Sequence, residues 1–123
     1  MISRLFFLIS VFLLSCSVIK KTQIANDCIL YVSFISTGAG IDREAKQNVL
    51  SFIENYNKVH NLSIVYETIR WGREGEVDFC FRLNELKKGK QNKFIQDMRE
   101  LVKNREGVRI SENTEKRKGL SIK

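Results

Sequence analysis

The chain contains no proline, one histidine, one tryptophan and three cysteines among its 123 residues. Proline often marks kinks and loop starts, so its absence fits a domain of regular elements joined by short turns. A structural zinc site needs four cysteine or histidine ligands at short spacings, and His60 is distant in sequence from every cysteine. We therefore expect no metal site and no cofactor, and we interpret His60 as a surface residue at the end of a helix.

The sequence also lacks an apolar stretch long enough to span a membrane. The most apolar segment, Leu5–Ile19, covers 15 residues, whereas a spanning helix needs about 20. Its apolar part follows a basic residue, Arg4, and leads to the small residue Ser15, directly before Cys16. A basic start, an apolar run of about ten residues and a small residue at the end predict a secretory signal that is removed.

The four residues at the predicted cleavage point, Leu13–Cys16, resemble the lipobox of bacterial lipoproteins. The resemblance covers residues 1–16 only, and it implies cleavage before Cys16 and attachment of acyl chains such as palmitate to that cysteine. More than one chain would anchor the protein durably to a membrane of the bacterial cell envelope. Ser17 is compatible with a periplasm-facing position on the outer membrane. A retained transmembrane helix and an ordinary cleaved signal are the alternatives.

Differences in composition divide the chain into four predicted parts. The residues after the signal suffice for one small domain. The formal net charge of the chain is +7, which favours attraction to anionic head groups or acidic partners. Part of this charge lies near the C-terminus, in a segment that we interpret as disordered. The parts are a cleaved signal at 1–15, an acylated tether at 16–27, a small α+β domain at 28–112 and a basic tail at 113–123.

Hydrophobic periodicity in the predicted domain alternates between the two-residue period of strands and the 3.6-residue period of helices. Asp42 is the expected N-cap of the first helix, Asn61 its end, and Gly107 the breaker after the second helix. The order β-α-β-β-α-β is that of ferredoxin-like folds, an α+β class with two helices on one face of a four-stranded antiparallel sheet. Such a fold serves many functions and predicts none. The strands are predicted at 28–35, 62–70, 77–83 and 108–111, and the helices at about 42–60 and 87–104.

Two cysteines, Cys28 and Cys80, remain if Cys16 carries lipid. An even pair outside the cytoplasm is a candidate disulfide, and the topology makes their strands neighbours. Strand alternation argues against the pairing, because it directs Cys28 inward with Leu30 and places Cys80 on the opposite face. A disulfide then requires a bulge, since its geometry is strict. Two free, partly shielded thiols are the alternative.

The stretch from Arg70 to Asp78 is the most distinctive in the chain. It combines the only tryptophan with two arginines and three carboxylates around a predicted hairpin. Exposed aromatic and charged side chains on loops frequently form contact sites. The alternative is a plain tight turn with its charges in solvent. The candidate binding residues are Arg70, Trp71, Arg73, Glu74, Glu76, Asp78 and, on the following strand, Arg82.

The glycine-rich loop Thr37–Gly40 precedes the first predicted helix, where backbone amides can hold an anion. Compared with the dinucleotide-binding fingerprint, Arg43 stands where the third glycine belongs, and Asp42 would repel a phosphate. We therefore interpret the loop as a turn followed by a helix cap.

Three functions are compatible with these features. The first is a non-catalytic, membrane-tethered module that binds a protein partner through the hairpin and the sheet. The second is a small envelope enzyme or redox protein that uses Cys80 or the carboxylates Glu74, Glu76 and Asp78. The third is an assembly subunit whose edge strand adds to a neighbour. Nucleic acid is not an expected partner, because Phe79 and Phe81 should face the core, whereas RNA-binding sheets expose their aromatic residues.

Overall fold

The computed structural model describes residues 27–115 and 120–122. The predicted signal, Cys16 and the tether before Asp27 lie outside the described residues. No helix within these ranges is both long and apolar enough to cross a bilayer. The elements are β1 (Asp27–Phe34), α1 (Arg43–His60), β2 (Tyr66–Arg70), β3 (Val77–Phe81), α2 (Lys88–Val102), β4 (Val108–Glu115) and β5 (Leu120–Ile122).

The strands pair antiparallel in the order β4-β1-β3-β2-β5. The four strands β4-β1-β3-β2 and the two helices confirm the predicted β-α-β-β-α-β arrangement. Phe34 lies opposite Val77 in β3 and opposite Val108 in β4, and Arg70 also lies opposite Val77. The β2–β3 hairpin therefore lies at the end of the sheet where β1 finishes. Asp27, where the chain enters the sheet, lies at the other end.

The main core lies between the sheet and the two helices. Strict alternation in β3 directs Val77, Phe79 and Phe81 toward the helices, as the sequence predicts. Phe34, Phe79, Phe81 and Phe94 are the largest fully buried side chains. The ring of Phe94, from α2, lies 5.9 Å from that of Phe81. Burial of one such side chain contributes about 1.5–3 kcal/mol to the stability of the fold. The aromatic residues therefore determine which face of the sheet packs against the helices.

Helix α1 begins and ends at the residues that the sequence predicts. Asp42 Oδ1 accepts a hydrogen bond of 2.8 Å from the amide of Ala45, which satisfies one of the unpaired donors at the helix start. Asn61 adopts the left-handed conformation with φ 50, and its amide donates to the carbonyl of Asn57. This geometry stops the helix. His60 is exposed, as expected.

The prediction that Gly107 ends the second helix is wrong, because α2 already ends at Val102. Gly107 has a different role at the start of β4. Its carbonyl accepts a 2.8 Å hydrogen bond from the amide of Ile35, and a Cβ at this position would lie 2.8 Å from the Ile35 carbonyl oxygen. Glycine is needed here because the two backbones approach closely.

Strand β2 is shorter than predicted and begins at Tyr66 rather than Leu62. The side chain of Asn57, in α1, accepts a hydrogen bond of 2.9 Å from the amide of Ile64. This bond ties the segment before β2 to the helix, so its amide does not join the sheet ladder. Polar side chains that capture backbone amides compete with strand pairing in this way.

The described residues of the predicted disordered tail form β-strands. β4 continues to Glu115 along β1, and β5 pairs with β2, where Thr68 lies opposite Ile122. These residues are largely polar, so their periodicity gave no strand signal. β5 adds to the edge of β2 that the predicted four-stranded sheet would leave open. Residues 116–119 and 123 lie outside the described part of the chain.

The sheet face away from the helices is not open at its centre. Tyr31, Ile69 and Cys80 are at most 4% exposed and form a second apolar cluster with Cys28. Asp78 is also fully buried. The central residues of this face therefore form a small core of their own, although a module that binds through the sheet would need them at the surface.

Cys28 and Cys80 form a disulfide, with their Cα atoms 5.3 Å apart. The expectation that Cys28 points into the main core is wrong. Both Leu30 and Ile29 pack against the main core, so the alternation of β1 is interrupted and Cys28 reaches the face that carries Cys80. The interruption has the effect of a β-bulge, which redirects a side chain. A disulfide is typical of proteins in an oxidising compartment outside the cytoplasm.

Candidate binding site at the hairpin end of the sheet

The β2–β3 hairpin is closed by its own polar groups. The amide of Trp71 donates to the carbonyl of Glu76 at 3.0 Å, and the amide of Glu74 donates to the Glu76 carboxylate at 2.8 Å. Gly72 and Gly75 have φ 69 and 88, a region that glycine adopts without strain. The hairpin is therefore an ordered turn that is closed by its own hydrogen bonds.

A second loop supports the hairpin from the side. The hydroxyl of Ser36 donates a hydrogen bond to the Glu74 carboxylate. Ser36 Oγ also accepts hydrogen bonds from the amides of Gly38 and Gly40, at 3.1 and 3.2 Å. Two amides of the glycine-rich loop are thus already bonded within the loop, as is common in turns that contain serine.

The hairpin, this loop and α1 surround a cavity of about 430 Å³. Small-molecule sites usually have volumes of about 300–1,000 Å³. The helix side of the cavity is formed by positions three and four residues apart, which lie on one helix face. That side consists of Arg43, Lys46, Gln47 and Leu50, and the hairpin contributes Arg70, Glu74, Gly75 and Val77.

The cavity carries more positive than negative charge. Three basic side chains, those of Arg43, Lys46 and Arg70, line it together with one carboxylate, that of Glu74. Among the side chains of residues 28–113, none forms an ion pair with these three basic groups. The Glu74 carboxylate accepts the hydrogen bond from Ser36. The positive charge is therefore available to an anionic group entering from solvent.

The floor of the cavity is apolar. Ile41 and Leu50 are partly buried and pack against the main core, and Val77 is 3% exposed. The side chains of all three border the cavity. A ligand that fills it therefore meets cationic groups at the rim and hydrocarbon at the base, which is the usual composition of a small binding pocket.

Two acidic residues at the start of α1 pair with Arg105, which precedes β4. Arg105 Nη2 lies 2.8 Å from Glu44 Oε1, and Nη1 lies 3.3 Å from Asp42 Oδ2. The hydrogen bond from Arg105 holds the pKa of Glu44 below its ordinary value, and the same bond raises the pKa of Arg105. Arg105 thus offsets the negative charge of the two acidic residues beside Arg43. These carboxylates therefore reduce the positive potential of the cavity less than they would without Arg105.

Of the predicted contact residues, Arg70, Arg73 and Glu74 are exposed at the hairpin. Arg70 and Glu74 line the cavity. The structure therefore brings the charged tip of the hairpin onto the surface formed with α1, and this joint surface replaces the isolated loop that the sequence suggested.

The other predicted contact residues are placed differently. Trp71 and Glu76 are half-buried within the turn, whereas Asp78 is fully buried on the far face of the sheet. Arg82 is exposed, and its Nη2 lies 3.7 Å from Glu67 Oε2. Asp78 and Arg82 therefore do not extend the hairpin surface, because strand alternation turns them to the opposite side from the cavity.

The residues proposed for an enzyme or redox function do not converge. Cys80 is 1% exposed and bonded to Cys28. Among the carboxylates Glu74, Glu76 and Asp78, only Glu74 lines the cavity. The described residues also contain no cluster of three or more histidine, cysteine or acidic side chains placed to hold a metal ion.

Sequence reasoning missed Arg43, Lys46 and Gln47 as candidate site residues. Their spacing on one side of a predicted amphipathic helix was a visible signal, because it places basic groups next to the apolar stripe. The other side of the cavity could not be recognised from the sequence, since Arg70 lies 27 positions from Arg43. Only the strand order places β2 beside that helix face.

The chain was compared with protein families, curated proteins and solved structures. No protein-family model, no curated protein and no solved structure matches it. The function therefore has to be argued from the residues of this chain.

Proposed function

We propose that this protein is a lipid-tethered domain of the bacterial cell envelope that binds a protein partner and catalyses no reaction. The observation that carries the proposal is the cavity at the hairpin end of the sheet, where exposed charges of the hairpin and α1 meet over an apolar floor. Exposed charged and apolar groups on an ordered loop are a common basis of recognition.

The envelope location is supported by two independent features. The residues from Arg4 to Cys16 have the order of a lipoprotein signal. The disulfide between Cys28 and Cys80 is of the kind that persists in oxidising compartments. On this proposal Cys16 carries acyl chains, and the domain faces the periplasm from the outer membrane.

The position of the tether supports a binding surface directed away from the membrane. The chain enters the sheet at Asp27, and the hairpin lies at the opposite end of β1. A strand of eight residues is roughly 25 Å long. A domain held at Asp27 can therefore present the cavity toward the envelope interior while its other end remains near the lipid.

The anchor is tested by fatty-acid labelling of the full chain in a bacterial host. We expect the wild-type protein to incorporate labelled palmitate, and Cys16→Ser to lose the label and accumulate as the uncleaved precursor. The Cys28→Ala/Cys80→Ala variant is the matched control, because it loses two cysteines and should keep the label. Label that persists in Cys16→Ser would contradict lipidation at that residue.

Partner binding is tested by affinity capture of the full chain from envelope extracts. We expect Arg70→Ala/Arg73→Ala to lose a protein that wild type captures. Lys88→Ala/Lys90→Ala is the control, since it removes the same charge from exposed residues at the start of α2, at the other end of the sheet. Equal losses with both variants would indicate nonspecific charge attraction and would count against the hairpin surface.

A further inference from the structure

We propose that the cavity recognises an acidic peptide segment with interspersed apolar side chains, presented by the protein partner. This inference deepens the proposed function and rests on it. It names the chemistry of the contact, and it adds Arg43, Lys46 and Leu50 of α1 to the hairpin residues that the sequence had singled out.

The charge of the cavity selects an anionic ligand. Arg43 and Lys46 come from the first turns of α1, and Arg70 comes from the end of β2. The three basic groups share one cavity with the single carboxylate of Glu74. Hydrogen bonds between cationic side chains and carboxylates are shorter and stronger than neutral ones. Glu74 also repels carboxylates next to it, which directs the ligand's acidic groups toward α1 and Arg70.

The apolar floor favours ligands that carry apolar groups in addition to negative charge. Ile41 and Leu50 are partly buried against the core at the base of the cavity. A phosphate ion has no group that uses this surface. An extended peptide has side chains on alternate sides and a rise of about 3.3 Å per residue, so it can place an apolar side chain on the floor and carboxylates at the rim.

The location of the cavity favours a peptide over a lipid head group. The cavity lies at the hairpin end of the sheet, and the chain enters the sheet at the opposite end. On the proposed lipid anchor, the tether therefore joins the domain at the end that lacks the cavity. A partner reaching the domain from the envelope interior meets the cavity first.

The probe is a fluorescent hexapeptide of alternating glutamate and leucine, titrated against the full chain in nanodiscs of neutral phosphatidylcholine. Anisotropy measures its affinity. We expect binding that weakens as ionic strength rises. Arg43→Ala/Lys46→Ala/Arg70→Ala should weaken it by roughly tenfold or more, because it removes the cationic donors of the charge-assisted hydrogen bonds.

Three controls separate recognition from nonspecific attraction. Lys87→Ala/Lys88→Ala/Lys90→Ala removes the same charge from exposed residues elsewhere and should leave the affinity unchanged. A glutamine–leucine peptide tests the role of charge and a glutamate–glycine peptide tests the floor, and both should bind at least about tenfold more weakly. Circular dichroism of each variant confirms that it is folded.

Three results would overturn this inference. They are equal affinity for the glutamine–leucine peptide, unchanged affinity of the α1 and β2 triple variant, and tighter binding of inorganic phosphate or of phosphatidylglycerol vesicles than of the acidic peptide. The proposed function fails separately, if envelope extracts yield no partner that depends on Arg70 and Arg73. A captured partner that tolerates loss of Arg43 and Lys46 would retain the function and remove the peptide site.

Discussion

At the end of the sheet where β1 begins, Cys28 and Cys80 join two neighbouring strands covalently inside an apolar cluster. At the hairpin end, Ser36, Glu74 and Glu76 hold the chain through hydrogen bonds between polar groups. The first end removes its linking groups from water, whereas the second keeps charged groups at the surface. The comparison teaches that the same sheet is joined by a buried covalent link at one end and by exposed polar groups at the other.

The basic residues of the two ends show the same contrast. At the hairpin end, Arg43, Lys46 and Arg70 converge on one cavity. Near the other end, Lys88 and Lys90 are exposed at the start of α2 and do not line that cavity. The two groups differ in their setting, because the first is arranged around a concave surface with an apolar floor.

The largest expected effect on stability is at the end of the sheet that holds the disulfide. Replacing both disulfide cysteines, as Cys28→Ala/Cys80→Ala, should lower the free energy of unfolding by about 2–4 kcal/mol, since the bond closes a long loop in the unfolded chain. Urea unfolding followed by the fluorescence of Trp71 measures this loss. Peptide affinity at low urea should stay unchanged. An unchanged unfolding midpoint, or a lost cavity affinity in the folded variant, would break the contrast between the two ends.

The next effect lies at the hairpin end. Gly107→Ala should destabilise the domain by about 1–3 kcal/mol, because the added Cβ would meet the Ile35 carbonyl at 2.8 Å. Gly89→Ala in α2 is the control, since a Cβ there contacts nothing within 4 Å and alanine favours helix by up to about 1 kcal/mol. Thermal unfolding should rank the two variants on opposite sides of wild type. Equal stabilities would contradict the close approach of the two backbones.

A smaller effect is expected at the start of α1, which carries two of the cavity's basic residues. Asp42→Ala removes the acceptor of the Ala45 amide and should cost about 1 kcal/mol. Asp42→Asn keeps an acceptor oxygen and should remain close to wild type in urea unfolding. If the asparagine variant loses as much as the alanine variant, the contribution of Asp42 comes from its charge toward Arg105 and not from the cap.

The smallest effect is a pH dependence at the same helix start. Arg105 holds the pKa of Glu44 below its ordinary value in the folded protein. The stabilisation is therefore complete above the unfolded pKa, near 4.5, and is lost as the pH falls through the lower folded pKa. The melting temperature of wild type should exceed that of Glu44→Gln at neutral pH, and the difference should vanish in acid. A difference that does not depend on pH would contradict the ion pair.

Local patterns predicted much of the fold. The alternation from Val77 to Phe81 identified a strand and its inward face, because a two-residue period has only one arrangement against a core. The pattern did not show that the other face of this strand is buried as well. Asp42 and Asn61 marked both ends of α1 through the backbone geometry that each side chain favours. Such signals are contained within a few residues and need no knowledge of distant contacts.

Other features depended on contacts between distant segments. The β1 interruption at Ile29 turns Cys28 to the face of Cys80, and strand alternation alone predicts the opposite. The start of β2 depends on a hydrogen bond from Ile64 to Asn57. In both cases a distant partner outweighed the local preference, which is a weak guide when tertiary contacts compete.

The sequence by itself determined the β-α-β-β-α-β order along the chain and the aromatic core face, because hydrophobic periodicity carries that information locally. Only the tertiary structure decided that Cys28 meets Cys80, that Asp78 is buried, and that Arg70 shares a cavity with Arg43. The physical reason is strand order. A binding surface requires side chains from separate segments to converge, and that convergence is set by how the sheet and α1 pack together.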